Sequence, residues 1–492
     1  MPLKNRLRGA AVDSLALTFV QVITTLLGMA ITKLIAMNFT LAEYGTYSQA
    51  LLVVNTTTSI TILGLTNATN YFYNNTTDPK RQKDFVSTIF ALEYIVGGLG
   101  AIVILALQVP LIEYFGNDKL RPFLWFSAFL PVLHNLLPMQ QTLFVSVGKA
   151  KTIALRNFII SLLRLAFVAI ACYVTEDLLT VTILSLVSHV VQVVYFFIIL
   201  GKHGLFINPL KAKFGLIPEI FKFSIPMAVY VMSRALLRDI DKYVIDFFMS
   251  SEELALYTNA SKQLPFDMIT SSFVTVLIPI VTRYINSDRL TEARECFSAY
   301  LRLGYLATWI LAAGAVVVSP QLMIFLYDEK YLPGLGVFII YLFVDMIRFA
   351  NVTTILGGAG KSKILMIVSL VSLATNLVLN IISIQWLNMG MMGPAVVTLI
   401  VSLFTILLML HFSAKELKCR IPQLFDFKEM SLIVGEILLV GGACHILNRW
   451  LESMQVYFVA ILFIVYGIYA LIMLALNYKK LIGCLKDINQ MK

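Results

Sequence analysis

Charge is scarce in this chain. Only 13% of its 492 residues are Asp, Glu, Lys or Arg, whereas 59% are hydrophobic and the mean hydropathy is +0.83. Soluble domains carry about 25% charged residues. The composition therefore excludes an ordinary soluble protein and predicts an integral membrane protein.

Cysteine pairs, metal-ligand clusters and large loops are also missing. The five cysteines form no CxxC pair, so they imply neither a disulfide framework nor a metal site. His134 and His189 lie in apolar stretches without metal-ligand spacing. No loop is long enough to fold on its own, as a catalytic domain would have to. We therefore expect no cofactor and no enzymatic activity.

The stretch GGAGKSK, residues 357–363, lacks part of a nucleotide-binding loop. That pattern needs a glycine five residues before the glycine of the Gly-Lys pair, where this chain has Ile355, and it needs a strand before the loop. We interpret GGAGKSK as a cytoplasmic turn. An ATP-driven machine is disfavoured for the same reason.

Long apolar stretches take the place of these features. A helix of about 20 residues crosses a hydrocarbon core of about 30 Å, and the chain contains a series of such stretches. The sequence predicts an all-α polytopic membrane protein with about fourteen transmembrane helices, and twelve is the lower bound. The predicted spans are 10–37, 43–66, 85–108, 122–146, 153–174, 178–200, 219–249, 253–279, 302–320, 334–357, 363–384, 390–412, 431–449 and 456–477.

The formal charge of +10 is explained by topology. If Met1 lies inside, 27 of the 38 basic residues fall in inner loops and tails and four fall in outer loops. This asymmetry follows the positive-inside rule and predicts that both termini are cytoplasmic. A nucleic-acid partner is not needed to explain the basic excess.

Two short matches indicate an internal duplication. EYGTYSQA at 43–50 aligns with ELALYTNA at 253–260, and GKAK at 148–151 aligns with GKSK at 360–363, at offsets of 210 and 212 residues. Each repeat would contain six predicted helices. Because six is an even number, both repeats would enter the membrane in the same direction. The predicted organisation is a six-helix lobe at 1–200, a cytoplasmic connector at 201–218, a second six-helix lobe at 219–412, and two extra helices with a cytoplasmic tail at 413–492.

The stretch SRALLRDIDKYVID, residues 233–246, places six charges in a predicted span. At about 100° per residue all six share an arc of about 160°. Each would cost about 2.5–3.5 kcal/mol at the bilayer centre if unaided. Pairs at i, i+3, namely Arg238 with Asp241 and Lys242 with Asp239, and the i, i+4 pair Lys242 with Asp246 would offset part of that cost.

The six charged residues of 233–246 form a charged stripe along the predicted helix, and two interpretations of this stripe remain open. It could be a set of intrahelical ion pairs at a solvated outer helix end, or it could line a polar cavity. Other ionisable residues in predicted spans favour the cavity; they are Lys33, Glu93, Arg164, Lys262, Asp267, Asp345 and Arg348. The second lobe counts five bases against five acids, so an anion site would need several acids paired or protonated.

The chain resembles a polysaccharide (O-antigen type) flippase of the multidrug/oligosaccharidyl-lipid/polysaccharide exporter superfamily. The resemblance rests on EYGTY after the first span, FSIPM at 223–227 and DKYVIDFFMSSEELALYTNASKQLP from residue 241. In that family an Asp in helix seven is followed by an acidic residue, a small residue and x-Tyr-x-x-Ala. The matching positions here are Asp241, Glu253, Ala255, Tyr257 and Ala260. The chain departs from the family at Met37, where a basic residue is common, and at Ala255, where a glycine is usual.

The resemblance implies translocation of a polyprenyl-pyrophosphate-linked oligosaccharide across the bacterial cytoplasmic (inner) membrane, for O-antigen or lipopolysaccharide production. The implied mechanism is alternating access around a charged cavity, with membrane lipid and other polysaccharide assembly proteins as partners. Arg234 and Arg238 are the first candidates for binding the headgroup. Lys33, Arg164, Lys262 and Arg348 are further cavity cations, and Asp241, Asp267 and Asp345 are candidates for setting charge or coupling to a proton or sodium ion.

Two alternatives are weighed against this function. An ion-coupled multidrug or cation antiporter of the same superfamily would use paired acids such as Asp241 and Asp267 for a cationic drug. An envelope glycosyltransferase or polymerase is disfavoured because the chain has no large loop and no catalytic constellation.

Overall fold

The computed structural model describes residues 3–146, 150–202, 207–267, 277, 280–285 and 287–490. Within these ranges every regular element is a helix, which confirms the all-α class. The first part of the chain contains α1 (Leu3–Asn38), α2 (Leu41–Thr61), α3 (Leu65–Asn75), α4 (Pro79–Ala106), α5 (Gln108–Phe115), α6 (Leu120–Ser127), α7 (Leu130–Ser146), α8 (Ala150–Ile170), α9 (Leu179–Lys202), α10 (Ile217–Phe248) and α11 (Ser251–Ala260).

The remaining helices follow a short 3₁₀ turn, Pro265–Asp267. They are α12 (Leu290–Val317), α13 (Ser319–Leu326), α14 (Leu335–Ile347), α15 (Thr354–Gly358), α16 (Ser362–Gln385), α17 (Met392–Glu416), α18 (Phe427–Ser453) and α19 (Phe458–Gln490). The GGAGKSK stretch forms α15, a turn and the start of α16, and a helix rather than a strand precedes that turn.

Many of the helices have the length and composition needed to cross a membrane. Eleven helices in the described ranges are long and apolar enough to cross a membrane, and the number becomes twelve if a pair bent by 48° near Pro226 forms one span. A proline removes a helix hydrogen bond and commonly kinks the helix. The predicted span 253–279 falls partly outside the described residues, so fourteen spans and cytoplasmic termini stay predictions.

The chain divides into two compact units, Met1–Ala255 and Leu256–Lys492. In the first unit α7 is central and packs against α2, α3, α4 and α9, while α1 lies along α8. α10 packs against α2 and α3, so its contacts lie in the first unit. The predicted second lobe starts at 219 because of the sequence repeat, and that boundary stays a prediction.

Small residues set the helix crossings of the first unit. A Cβ atom added to Gly97 on α4 would lie 2.7 Å from Cβ of Val132 on α7, so only glycine permits this approach. Leu63 and Gly64 have φ of 42° and 68°, and they interrupt the predicted span 43–66 between α2 and α3. Gly64 is required there because a Cβ would also lie 2.5 Å from the Ser224 carbonyl oxygen.

The second unit is built around α12. This helix packs against α14, α18 and α19, and α16 packs against α17. Its buried cluster joins Ile310 and Val318 to Val465, Tyr469 and Met473 of α19. The two predicted extra helices, α18 and α19, therefore belong to the packed core of this unit.

Candidate functional site

The charged stripe of α10 separates into buried acids and exposed arginines. Asp239, Asp241 and Asp246 retain 5%, 1% and 7% of their accessible surface, whereas Arg234 and Arg238 are exposed. Packing against α2 and α3 buries one side of the helix. The predicted arc is therefore shared between the protein interior and an exposed face.

Asp239 is paired with two cations of different exposure. Its Oδ1 lies 2.6 Å from Lys242 Nζ, and the Lys242 side chain is only 15% exposed. Its Oδ2 lies 3.3 Å from Arg238 Nη2, and the Arg238 side chain is 62% exposed. The predicted Lys242–Asp239 pair is confirmed, whereas Arg238 pairs with Asp239 and the predicted Arg238–Asp241 pair was wrong. The arginine side chain is long and flexible enough to reach the carboxylate of the adjacent residue.

Arg234 has no ion pair within the described ranges. Its Nη1 donates a hydrogen bond of 3.2 Å to the Tyr230 hydroxyl one turn earlier. The guanidinium carbon also lies 5.9 Å from the centroid of the Tyr230 ring. A cation held by an aromatic ring and a neutral hydroxyl keeps its full charge for an anionic ligand.

The C-terminal half of α10 is joined to α2 by a chain of hydrogen bonds that was not predicted from the sequence. Gln49 Nε2 donates to Asp246 Oδ1 at 2.8 Å. Asn117 Nδ2 donates to Gln49 Oε1 at 2.7 Å and to Thr46 Oγ1 at 2.8 Å. Asp246 therefore has a structural partner from another helix. The only sequence signal was Gln49 itself, a polar residue in an apolar span.

Tyr243 strengthens the same contact. Its hydroxyl donates to the Leu52 carbonyl at 2.9 Å and lies 2.7 Å from Thr56 Oγ1. Tyr114 of α5, which lies outside the apolar spans, donates its hydroxyl proton to the Tyr243 carbonyl at 3.1 Å. Burial, and then the nearby charge of Asp246, raises the pKa of Tyr114 to about 12. Tyr114 therefore stays a hydrogen-bond donor at neutral pH.

The other predicted cations of the first unit lie on α1 and α8. Lys33 is half-buried near the end of α1, and Arg164 is exposed on α8. Arg164 lies near enough to His134 and His189 for its charge to act on both. The two histidine rings lie 4.7 Å apart, centroid to centroid. Arg234 and Arg238, one turn apart on one helix, are thus the predicted cations that share an exposed face.

In the second unit, three predicted site residues lie around the turn after α11 and the end of α14. Lys262 Nζ donates to Asn259 Oδ1 at 2.9 Å. Asp345 is buried, and its Oδ2 accepts a hydrogen bond of 3.1 Å from the Leu264 backbone N–H. Arg348 Nη2 donates to Ser402 Oγ at 2.7 Å. Asp345 therefore holds the turn in place, and the Asp267 side chain lies outside the described part of the chain.

Glu93 of α4 is a buried acid whose surroundings the sequence did not reveal. It is 0% exposed, and neither carboxyl oxygen has a hydrogen-bond partner among the described residues. Asn135 of α7 is the polar side chain that acts on it. The sequence placed Glu93 in a span but could not say which helix it faces.

Comparisons with known proteins agree with this architecture. A sequence profile described as a polysaccharide biosynthesis protein matches residues 34–335. The probable lipid II flippase MurJ of Rickettsia prowazekii (strain Madrid E) is 22% identical over 324 residues, which is 61% of this chain and 59% of that relative. The match thus spans less than two thirds of the curated relative's length.

Solved structures share the fold. Lipid II flippase MurJ in an inward closed conformation has a TM-score of 0.73 at 16% identity, covering 95% of this chain and 99% of that one. An inward-facing multidrug resistance MATE family transporter of the MOP superfamily has a TM-score of 0.66 at 11% identity, covering 80% and 94%.

The many apolar helices make this chain a multi-pass membrane protein, and its fold is that of the solved MurJ and MATE structures. More particularly, the chain belongs to the polysaccharide biosynthesis protein family. The curated relative and the solved structures are described as flippases and transporters, not as enzymes.

Proposed function

We propose that this protein translocates a polyprenyl-pyrophosphate-linked oligosaccharide across the bacterial cytoplasmic membrane during cell-surface polysaccharide synthesis. The observation that carries the proposal is the exposed Arg234–Arg238 pair on α10 in a chain of the polysaccharide biosynthesis protein family. The names of the MurJ relatives, which are lipid II flippases, support a lipid-linked substrate. Alternating access of a membrane cavity is the proposed mechanism.

The charge balance of the stripe supports binding of an anion. Lys242 Nζ lies 2.6 Å from Asp239 Oδ1 in a largely buried pair, so Lys242 neutralises the negative charge of Asp239. The more exposed Arg238 contact at 3.3 Å is weaker, because exposed ion pairs contribute about 0–1 kcal/mol. A diphosphate can therefore replace Asp239 as the partner of Arg238. Arg238 and Arg234 would then offer two guanidinium forks, each able to bind phosphate oxygens bidentately.

The remaining predicted residues have graded roles in this proposal. Arg164 and Lys33 are proposed as secondary cations of the first unit, and Lys262 and Arg348 as secondary cations of the second. Asp241, Asp267 and Asp345 are proposed to set the charge around the headgroup or to couple to an ion. Asp345 is the weakest of these candidates, because its contact with the Leu264 N–H gives it a structural task.

The first experiment tests the arginine pair in proteoliposomes. We expect Arg234→Ala to lower translocation of a lipid-linked oligosaccharide by about tenfold or more, because a charge-assisted hydrogen bond contributes about 1.5–3 kcal/mol. The double variant with Arg238→Ala should abolish translocation. Arg121→Ala removes an exposed arginine of α6 in the same unit and should leave it unchanged. Wild-type rates in both Arg234→Ala and Arg238→Ala would contradict the assignment.

Drug or cation antiport remains the second candidate. It is favoured by the fold shared with multidrug resistance MATE transporters and by buried acids such as Glu93 and Asp246. The same proteoliposomes can be tested for efflux of a cationic dye. Dye efflux without movement of lipid-linked oligosaccharide would replace the proposed function with this one.

A further inference from the structure

The inference concerns Glu93, a carboxyl group in the interior of the first unit. It is fully buried in α4, and neither of its side-chain oxygens has a hydrogen-bond partner among the described residues. Burying an ionised carboxylate without a partner costs far more than burying the neutral acid. Ionisable groups placed this way inside membrane proteins usually mark proton or ion pathways.

Asn135 is the group that faces Glu93. α4 and α7 cross closely where Gly97 meets Val132. Glu93 lies one turn before Gly97, and Asn135 lies about one turn after Val132, so both residues lie beside this close crossing. Asn135 is itself fully buried.

The hydrogen bonds of Asn135 fix the orientation of its amide. Its Nδ2 donates to the Thr58 carbonyl at 3.3 Å and to Thr61 Oγ1 at 2.9 Å. Thr61 Oγ1 has already given its own proton to the Thr57 carbonyl at 2.8 Å, so it must accept from Asn135. Both amide hydrogens are thereby used. Asn135 Oδ1 is left as a buried acceptor without a donor among the described residues.

A neutral Glu93 complements this arrangement and a carboxylate does not. The protonated acid has one O–H donor, which Asn135 Oδ1 can accept. An ionised Glu93 would bring a second acceptor against Asn135 Oδ1 and leave both unsatisfied. We propose that Glu93 is a proton-binding site that is occupied at neutral pH, and that its proton couples to transport.

No charged group from the packed helices opposes this assignment in the described part of the chain. α2, α3, α5, α6, α7, α10 and the 3₁₀ turns at 209–211 and 214–216 pack against α4. In the described part of the chain, the single polar side chain that acts on the Glu93 carboxyl is Asn135. His134, beside Asn135 on α7, has its ring 4.7 Å from that of His189 on α9. The charge of Arg164 acts on that histidine pair.

The coupling step moves one proton and needs no other reactant. When α4 and α7 separate at the Glu93–Asn135 contact, water can reach the acid, which then releases its proton to the solvent. Closing the contact with the carboxylate inside would be unfavourable, so a proton from the other side must be bound first. This step rests on the proposed transport function, whereas the bound proton does not.

The bound proton can be tested without any substrate. Infrared difference spectra of the purified full-length protein at neutral pH should show the carbonyl band of a protonated carboxyl that is lost in Glu93→Gln. Glutamine can donate the same hydrogen bond to Asn135 Oδ1, so the variant should fold. Glu113→Gln, the same substitution at an exposed acid on α5, should keep the band. A wild-type spectrum equal to that of Glu93→Gln would overturn the proposal.

Two further measurements separate the proton site from the transport function. Asn135→Leu removes the acceptor but leaves Glu93 in place, so the band should shift; an unshifted band would contradict the hydrogen bond. In proteoliposomes, a pH gradient should stimulate wild-type translocation of lipid-linked oligosaccharide, and Glu93→Gln should lose that stimulation completely. Retained stimulation would overturn the coupling. A wild type that moves no lipid-linked oligosaccharide would instead contradict the proposed function, while the infrared result still decides the proton site.

Discussion

Both sides of α10 carry charged residues, and they differ in what surrounds those residues. On the exposed side, Arg234 lies over the ring of Tyr230, and Arg238 contacts one carboxylate oxygen of Asp239. On the buried side, Asp246 and Lys242 each have a close partner, Gln49 and Asp239 respectively. The comparison teaches that the same stripe stabilises the fold on one side and offers charge to a ligand on the other.

The largest expected effect on stability comes from Lys242, which shares Asp239 with Arg238. Lys242→Ala would leave Asp239 largely buried with its remaining partner exposed. Breaking a buried pair in this way costs about 3–5 kcal/mol of unfolding free energy. Arg238→Ala removes the other partner and should cost less than about 1 kcal/mol, because that pair is exposed. Unfolding titrations in mixed micelles would measure both, and equal losses would break the comparison.

A smaller loss is expected at Gln49. Gln49→Leu removes the donor to Asp246 Oδ1 and should cost about 1.5–3 kcal/mol, because a charged acceptor would lose its hydrogen bond. Its control is Gln82→Leu, which removes an amide that bonds to the Tyr73 carbonyl and not to α10. Translocation measured at a temperature where the Gln49 variant stays folded should remain. Loss of translocation without loss of stability would move Asp246 to the functional side of the helix.

Tyr243 should have a more modest effect. Tyr243→Phe keeps the ring and removes the hydroxyl that bonds to the Leu52 carbonyl and Thr56. Side-chain hydrogen bonds between membrane helices contribute about 0.6–1.7 kcal/mol, and we expect a loss in that range. Thr56→Val leaves the Leu52 bond intact and should cost less than Tyr243→Phe. A larger cost for Thr56→Val would show that Tyr243 is not the centre of the contact.

The smallest effect should come from the two helix caps of the aligned motifs. Thr40 with Glu43 and Ser250 with Glu253 form the same reciprocal cap, with hydrogen bonds of 2.8 Å and 3.0 Å from the cap N–H to the glutamate. Thr40→Ala and Ser250→Ala should each cost about 0.5–1 kcal/mol. Thermal unfolding of both variants would compare them directly. Unequal costs would weaken the proposed equivalence of the two repeats.

Much of the architecture could be predicted because membrane helices are specified locally. Twenty apolar residues satisfy their own backbone hydrogen bonds in lipid, so composition and length were enough to predict the helices. The interruption at Leu63–Gly64 was not predicted, because it depends on how closely the Ser224 carbonyl approaches. The buried position of Asp241 was not predicted either, because it also depends on residues that are distant in the chain.

Helical periodicity predicts the direction in which a side chain points around the helix axis. It does not predict which part of the helix is covered by neighbouring helices. Asp241 and Arg234 lie within about 20° of each other around the helix, yet they are seven residues and about 10 Å apart along it. Asp241 is buried, whereas Arg234 is exposed. Near the covered end, Asp246 bonds to Gln49 and Gln49 to Asn117, and these residues lie about 200 and 130 residues from Asp246 in the chain.

The sequence by itself determined that this chain crosses a membrane many times, is all-helical and carries an unusual charged helix, since those properties follow from composition and from periodicity within each segment. Only the tertiary structure decided which charges are buried, that Asp246 has an amide partner, and that the oxygens of Glu93 and Asn135 Oδ1 are buried without a hydrogen-bond partner among the described residues. The physical reason is that the cost of burying a charge depends on the few atoms that surround it, and packing brings those atoms from distant parts of the chain.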